Sequence, residues 1–85
     1  MKIEFDPAKD AKNIEKHGVS LARAADLDIL DILRDERVEY GEVRYRAWGV
    51  IDGAAYALAF TLRDGTVRAI SLRRAHDKEM KRHGG

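Results

Sequence analysis

Two Asp-Gly pairs, Asp52-Gly53 and Asp64-Gly65, constrain this chain more than any other feature of it. A two-residue hairpin loop needs positive φ at both central positions, and Asp-Gly adopts them at low cost. Val43–Ile51, Tyr56–Leu62 and Thr66–Arg73 therefore read as three strands of an antiparallel meander. Alternation sorts the last two strands onto two faces. Leu58, Phe60, Leu62, Ile70 and Leu72 share one face, which should lie against helices. Ala57, Ala59, Thr61, Ala69, Ser71 and Arg73 share the other. This second face is floored by small residues and rimmed by arginine. It is a shallow concavity unless the C-terminal helix packs onto the alanines.

The meander needs a cover, and the N-terminal half supplies it. Lys2 to Phe5 alternates polar and apolar, as a short strand does. Asp6 is a good N-cap and Pro7 suits the first helical position, where its missing N–H is not needed. Ala8, Ala11 and Ile14 recur at helical spacing, and Gly18 supplies the left-handed residue that ends the helix. Ser20 can N-cap a second helix, with Val19 stapling to Ala24 and the helix ending near Leu27. Ile29–Leu33 is strand-like, although the second helix can also continue through it. Arg34 to Gly41 is charged and turn-like, and Ala75–His83 reads as a short terminal helix. Helices segregated to one face of an antiparallel sheet make an α+β domain, here a single domain over residues 1–85.

A chain of 85 residues buries one modest core, leaving roughly a third of its unfolded surface exposed, so a partner would add usefully to its stability. Absence of cysteine excludes a disulfide framework and a thiolate metal site. No apolar run approaches the roughly 20 residues of a membrane span. Met1 to Phe5 lacks the apolar stretch of a signal peptide, and a soluble, cytoplasmic protein is expected. Net charge is only +1, but it is unevenly spread. Residues 18–65 carry six basic and nine acidic groups, whereas residues 66–85 carry six basic and two acidic. A basic C-terminal end is the footprint of a polyanion binder or the solvated face of a helix.

Chemistry narrows by elimination. His17, His76 and His83 lack metal-ligand spacing and no carboxylate cluster joins them, so no metal or other cofactor is expected. No phosphate-cradling glycine loop or nucleophile elbow is present. RNA cleavage without metal needs a base for the 2′-OH, cations for the charged transition state and an acid for the leaving 5′-oxygen. Glu42, Arg44, Arg68, Arg73, Arg74 and His83 supply these roles, since imidazole transfers protons near neutral pH and guanidinium matches phosphate. Each is equally a solvated surface residue when taken alone. Strand alternation sends Arg68 and Arg73 to opposite faces unless a bulge or the strand end re-aims one of them. Tyr45 and Trp48 also lie on opposite faces. Tyr45 is the better candidate for stacking on a base, because Trp48 stands near apolar Val50.

Three spaced signatures then carry a resemblance across nearly the whole chain. The first is Phe5-Asp6-Pro7-Ala8-Lys9, Asn13, Lys16-His17-Gly18-Val19-Ser20 and Ala24-Ala25. The second is Asp35, Arg37, Tyr40-Gly41-Glu42-Val43-Arg44 and Gly49, and the third is Arg68 to Ala75 with Glu79. Together they resemble the BrnT family. That resemblance implies a RelE-like ribonuclease fold. It also implies a BrnA-type antitoxin with a ribbon-helix-helix domain, through which alone the complex would reach operator DNA. The expected catalytic set is Glu42, Arg68, Arg73 and His83, with Lys16, His17, Arg44, Tyr45, Arg74 and Lys81 contacting RNA. Structural roles compete at the end of the first helix: Lys16 and His17 complement the helix dipole, and Gly18 caps it. His83 stands where the family often has tyrosine, and the net charge is low for the family. Both features favour the alternative, a module that binds antitoxin or RNA without cleaving. A DNA-binding regulator acting alone ranks last, because no helix is rich in base-reading side chains.

Overall fold

A computed structural model describes residues 2–37, 39 and 41–83; Met1, Val38, Tyr40 of the second signature and Gly84-Gly85 lie outside the described residues. The elements in order are β1 (Ile3–Glu4), α1 (Pro7–His17), a 3₁₀ helix (Leu21–Asp26), β2 (Asp28–Asp35), β3 (Arg44–Ile51), β4 (Ala54–Arg63), β5 (Thr66–Arg74) and α2 (Asp77–His83). The α+β class holds. Both Asp-Gly pairs form the expected hairpins, with φ of 48° and 79° at Asp52 and Gly53 and of 50° and 78° at Asp64 and Gly65. Strand order is β1-β5-β4-β3-β2.

Three expectations are corrected. The sheet is mixed, because β1 pairs parallel with β5 at Ile3–Val67 and Glu4–Arg68. The second helix is a single short 3₁₀ segment that does not run on through Ile29. Arg34 and Asp35, expected in a turn, extend β2 instead. Capping follows the local chemistry: Asp6 accepts from Ala8 N–H at 2.8 Å, Ser20 accepts from Ala22 N–H at 3.1 Å, and left-handed Gly18 donates to Ile14 O.

Facing residues on paired strands show which side chains share a face. Leu58, Phe60 and Leu72 join Leu21, Ala24, Leu27, Ala47 and Ile51 in the core beneath α1 and the 3₁₀ helix. One residue keeps its expected face but stays exposed, and two residues of β5 exchange faces. Leu62 is exposed at the end of its strand. The register of β4 with β5 slips so that Ala59 faces Ser71 but Phe60 faces Ala69, leaving Ile70 as an extra residue. Ala69 consequently turns into the core, while Ile70 turns to the side away from the helices, called here the open face.

The inward side of α1 is polar, contrary to the spacing of Ala8, Ala11 and Ile14, all of which are exposed. Buried Asn13 takes the inner position. Its Nδ2 donates to Val19 O at 2.8 Å and Leu72 O at 2.9 Å, and its Oδ1 accepts from Leu72 N–H at 3.1 Å. A carboxamide carries a donor and an acceptor, as a peptide does, so Asn13 completes the edge of β5 where two-residue β1 no longer reaches. One turn earlier, Asp10 accepts from Ser20 Oγ and Leu21 N–H, fixing the 3₁₀ helix to α1. Asn13→Ala leaves a buried N–H and two carbonyls without partners. Urea unfolding followed by Trp48 fluorescence should show a loss of roughly 2–4 kcal/mol. A loss below about 0.5 kcal/mol, the level of an ordinary surface substitution, would show that the carboxamide is not structural.

Candidate functional site

The open face carries a depression of about 290 Å³ floored by Ala57, Ala59 and Ser71 and bordered by Arg44, Arg46 and Arg73. Small side chains on adjacent strands make the hollow, and alternation along β3 aims Arg44, Arg46 and Trp48 to this side. Asp35 and Arg37 border it too, joined by a two-pronged ion pair at 2.8 Å for each contact. A guanidinium-lined hollow of this size suits a phosphate group, because planar forks match phosphate oxygens.

α2 packs onto one end of the same face, and Glu79 is its anchor. The carboxylate accepts from both Arg73 terminal nitrogens, at 2.8 and 3.0 Å. It also accepts from Trp48 Nε1 at 3.1 Å and from His76 N–H at 3.0 Å, while Arg46 Nη2 lies 3.7 Å away. Accepting the His76 N–H is the backward half of a capping box, so one residue starts the helix and fastens it to the sheet. Arg73 beside it, with these hydrogen bonds, holds the Glu79 carboxyl well below the usual carboxylate range. Trp48 is fully buried beneath α2, with the His83 ring stacked on it at 3.7 Å and 10°. His83 Nδ1 lies 2.9 Å from Asp31 Oδ2, and the Arg46 guanidinium stands 4.7 Å from the Trp48 ring centre.

The expected site residues divide in this geometry. Arg73 and Arg44 line the depression. The extra residue Ile70 brings Arg68 onto the open face as well, opposite Thr61, where it lies 3.5 Å from Glu4 and outside the hollow. Glu42 lies outside the lining of the hollow, 3.6 Å from Arg44 and 3.9 Å from Arg63. His83 also lies outside that lining, stacked on Trp48. His17 ends α1 near the C-terminal end of β5. Burial lowers its pKa, and the charges of Lys16 and Arg73 act in the same direction. Lys16 is exposed in the same turn, and Lys81 is exposed on α2. Arg74 points away from Arg73, donates to Ala55 O at 3.2 Å and lies over Tyr56. Tyr45 lies on the helix face, stacked on Phe60 at 5.4 Å, so its ring is engaged with the core. Arg46, Trp48, Asp31 and Glu79 were missed as site residues. The even-numbered alternation of β3 was a usable signal for Arg46 and Trp48. His76, three residues before Glu79, was a local capping-box partner, but nothing local pointed to Arg46 and Trp48 on β3 or to Arg73 on β5.

Because its folded pKa is depressed, Glu79 contributes stability above the ordinary carboxylate pKa, and that contribution is lost as pH falls through the depressed value. Packing of α2 on Trp48 should therefore survive acidification through the usual carboxylate range as far as Glu79 is concerned. Glu79→Gln should release the helix even at neutral pH, shifting emission of the single tryptophan to longer wavelength. Unchanged emission in the variant would show that α2 is held by other contacts.

No three or more His, Cys, Asp or Glu side chains converge as a metal-binding group among the described residues. No described helix is long and apolar enough to cross a membrane. Comparison with curated proteins finds no significant match. Residues 5–79, however, match the family described as ribonuclease toxin, BrnT, of type II toxin-antitoxin system. That match spans all three signatures and the β3–β5 face with Glu79, and on it the chain belongs to the BrnT family of ribonuclease toxins of type II toxin–antitoxin systems.

Proposed function

We propose that this toxin is a RelE-like endoribonuclease that cleaves RNA on the open face of its sheet without a metal, inhibiting translation and growth until a BrnA-type antitoxin neutralises it. One observation carries the reading: three arginines, Arg44, Arg46 and Arg73, border one small-residue hollow, with the Glu42 carboxylate 3.6 Å from Arg44 and the His83 ring stacked on Trp48 beside Arg46. In this scheme Glu42 removes the proton from a ribose 2′-OH. The 2′-oxygen attacks the adjacent phosphorus, the bond to the 5′-oxygen breaks, and His83 gives that oxygen its proton. The products are a 2′,3′-cyclic phosphate and a 5′-hydroxyl. The arginines stabilise charge on the phosphorane-like transition state, and Arg68 extends the cationic face along the strand. Lys16, His17, Arg74 and Lys81 serve as outer contacts to the RNA chain. Tyr45 acts only through the core in this arrangement, since its ring lies against Phe60.

A non-cleaving binding module is the second reading, and the occupied fork of Arg73 favours it. Incubation of the purified chain with naked RNA separates the two. Cleavage should persist in EDTA and leave a cyclic or 3′-phosphate end; activity abolished by EDTA and restored by magnesium would overturn the proposed chemistry. Removing an electrostatic stabiliser of a transition state typically costs about 100- to 1,000-fold in rate. Arg73→Ala should show a loss of that order with retained fold, and Arg68→Ala a smaller one. Wild-type rates in both folded variants would remove these arginines from the mechanism.

A further inference from the structure

Two contacts, made to two different strands, fix the His83 ring. It stacks on the Trp48 indole at 3.7 Å and 10°, which sets the plane of the ring. Its Nδ1 lies 2.9 Å from Asp31 Oδ2, which sets the rotation of the ring within that plane. An ionised carboxylate can only accept, so Nδ1 carries the proton of this bond. Nε2 is left for other chemistry. It has no hydrogen-bond partner among the described residues, yet it is not sealed from solvent, although the side chain as a whole is only 12% accessible.

The bulge at Leu30 creates this arrangement. Ile29 faces Gly49 and Asp31 faces Trp48, with Leu30 as the extra residue between them. In regular register Leu30 would stand opposite Trp48, and β2 would offer an apolar side chain there. An apolar contact suffices to hold a short helix down. A carboxylate in the same place also binds one imidazole nitrogen and favours the charged ring. Other charges act on that ring. Arg46 on β3, 4.7 Å from the Trp48 ring centre, opposes a positive imidazole, as does Arg73 on β5; Glu79 on α2 offsets both. Lys81 and Arg82 on α2 are exposed to solvent. Asp31 is the carboxylate in direct contact. Arg46 also borders the hollow, so the fixed ring lies beside the guanidinium cluster.

We infer that Asp31 is the positioning residue of His83, holding the proton on Nδ1 so that Nε2 is the nitrogen that gives its proton to the leaving 5′-oxygen. This role rests on the reading of His83 as the general acid. As the bond from phosphorus to the 5′-oxygen breaks, that oxygen takes the Nε2 proton. Nδ1 keeps its own proton on Asp31, and the ring ends neutral.

The full-length toxin is compared as wild type, Asp31→Asn, Asp31→Glu and His83→Gln. Nitrogen NMR reads the His83 tautomer, single-turnover cleavage of naked RNA in EDTA reads the rate from about pH 5.5 to 8.5, and Trp48 emission reads the packing of α2. Neutral His83 in the wild type should carry its proton on Nδ1. Asp31→Asn, with Trp48 emission unchanged, should cleave about tenfold or more slowly at neutral pH. Its alkaline fall in rate should begin about one pH unit lower, because the carboxylate charge that favoured imidazolium is gone. Asp31→Glu keeps that charge and should recover most of the rate and the profile. An Nε2–H tautomer in the wild type would overturn the role of Asp31 alone. So would a wild-type rate and profile in Asp31→Asn while His83→Gln is impaired. A slower Asp31→Asn with released α2 and an unshifted profile would also overturn it, leaving Asp31 as an anchor of the helix. Wild-type cleavage by His83→Gln, or no cleavage by the wild type, would overturn the acid assignment itself and the positioning role with it.

Discussion

One extra residue in β5 sets both faces of this protein. Without Ile70 as a bulge, strict alternation would separate Arg68 from Arg73 and push Ala69 away from the core. With it, Val67, Ala69 and Leu72 all point toward the helices, while Arg68, Ser71 and Arg73 share the open face. Bulges of this kind re-aim side chains without ending the ladder. A second bulge, at Leu30, does the same for β2. There Gly49 is required, because a Cβ at that position would run into the Asp28 carbonyl oxygen. The glycine acts through close backbone approach and has ordinary negative φ.

Gathering guanidinium groups on one face creates a second constraint. Like charges repel and tend to unfold a small sheet unless they are compensated. Glu79 compensates Arg73 directly and Arg46 at longer range, and it draws α2 over Trp48 in doing so. Asp35 does the same for Arg37. The hollow is therefore pre-oriented by carboxylates that phosphate can imitate. At the C-terminal end of β2, Glu36 and Glu42 likewise lie against Arg34 and Arg44. A protein of net charge +1 can in this way gather arginines around one hollow.

Much of the fold was legible because its signals are local. Asp52-Gly53 and Asp64-Gly65 gave the hairpins, Asp6, Pro7, Gly18 and Ser20 gave the helix ends, and alternation put Leu58, Phe60 and Leu72 in the core. Misread elements were those whose state depends on distant partners. α1 carries apolar residues at helical spacing, yet it packs by Asn13, because a hydrogen-bonding strand edge 59 residues away outweighs the small gain from burying alanines. The residues after Leu27 suited helix or strand equally, and pairing with β3 decided the matter. In the site, the cationic character and the small-residue floor were visible in the pattern of β4 and β5. Placement of Tyr45 against Phe60, and of Trp48 beneath α2, was not.

The sequence by itself determined the turns, the caps, the two-sided character of the meander, the absence of thiolate chemistry and, through spaced signatures, the family. These follow from φ preferences, period-two alternation and residue type, which act within a few positions. Only tertiary structure decided that Arg68 and Arg73 share a face, that Glu79 gathers Arg73, Arg46, Trp48 and His76, and that β2 is an open edge. A bulge is a property of two strands in register, an ion pair a property of two side chains in space, and an edge a property of the strand that is not there. None of the three is encoded in any short stretch of the chain.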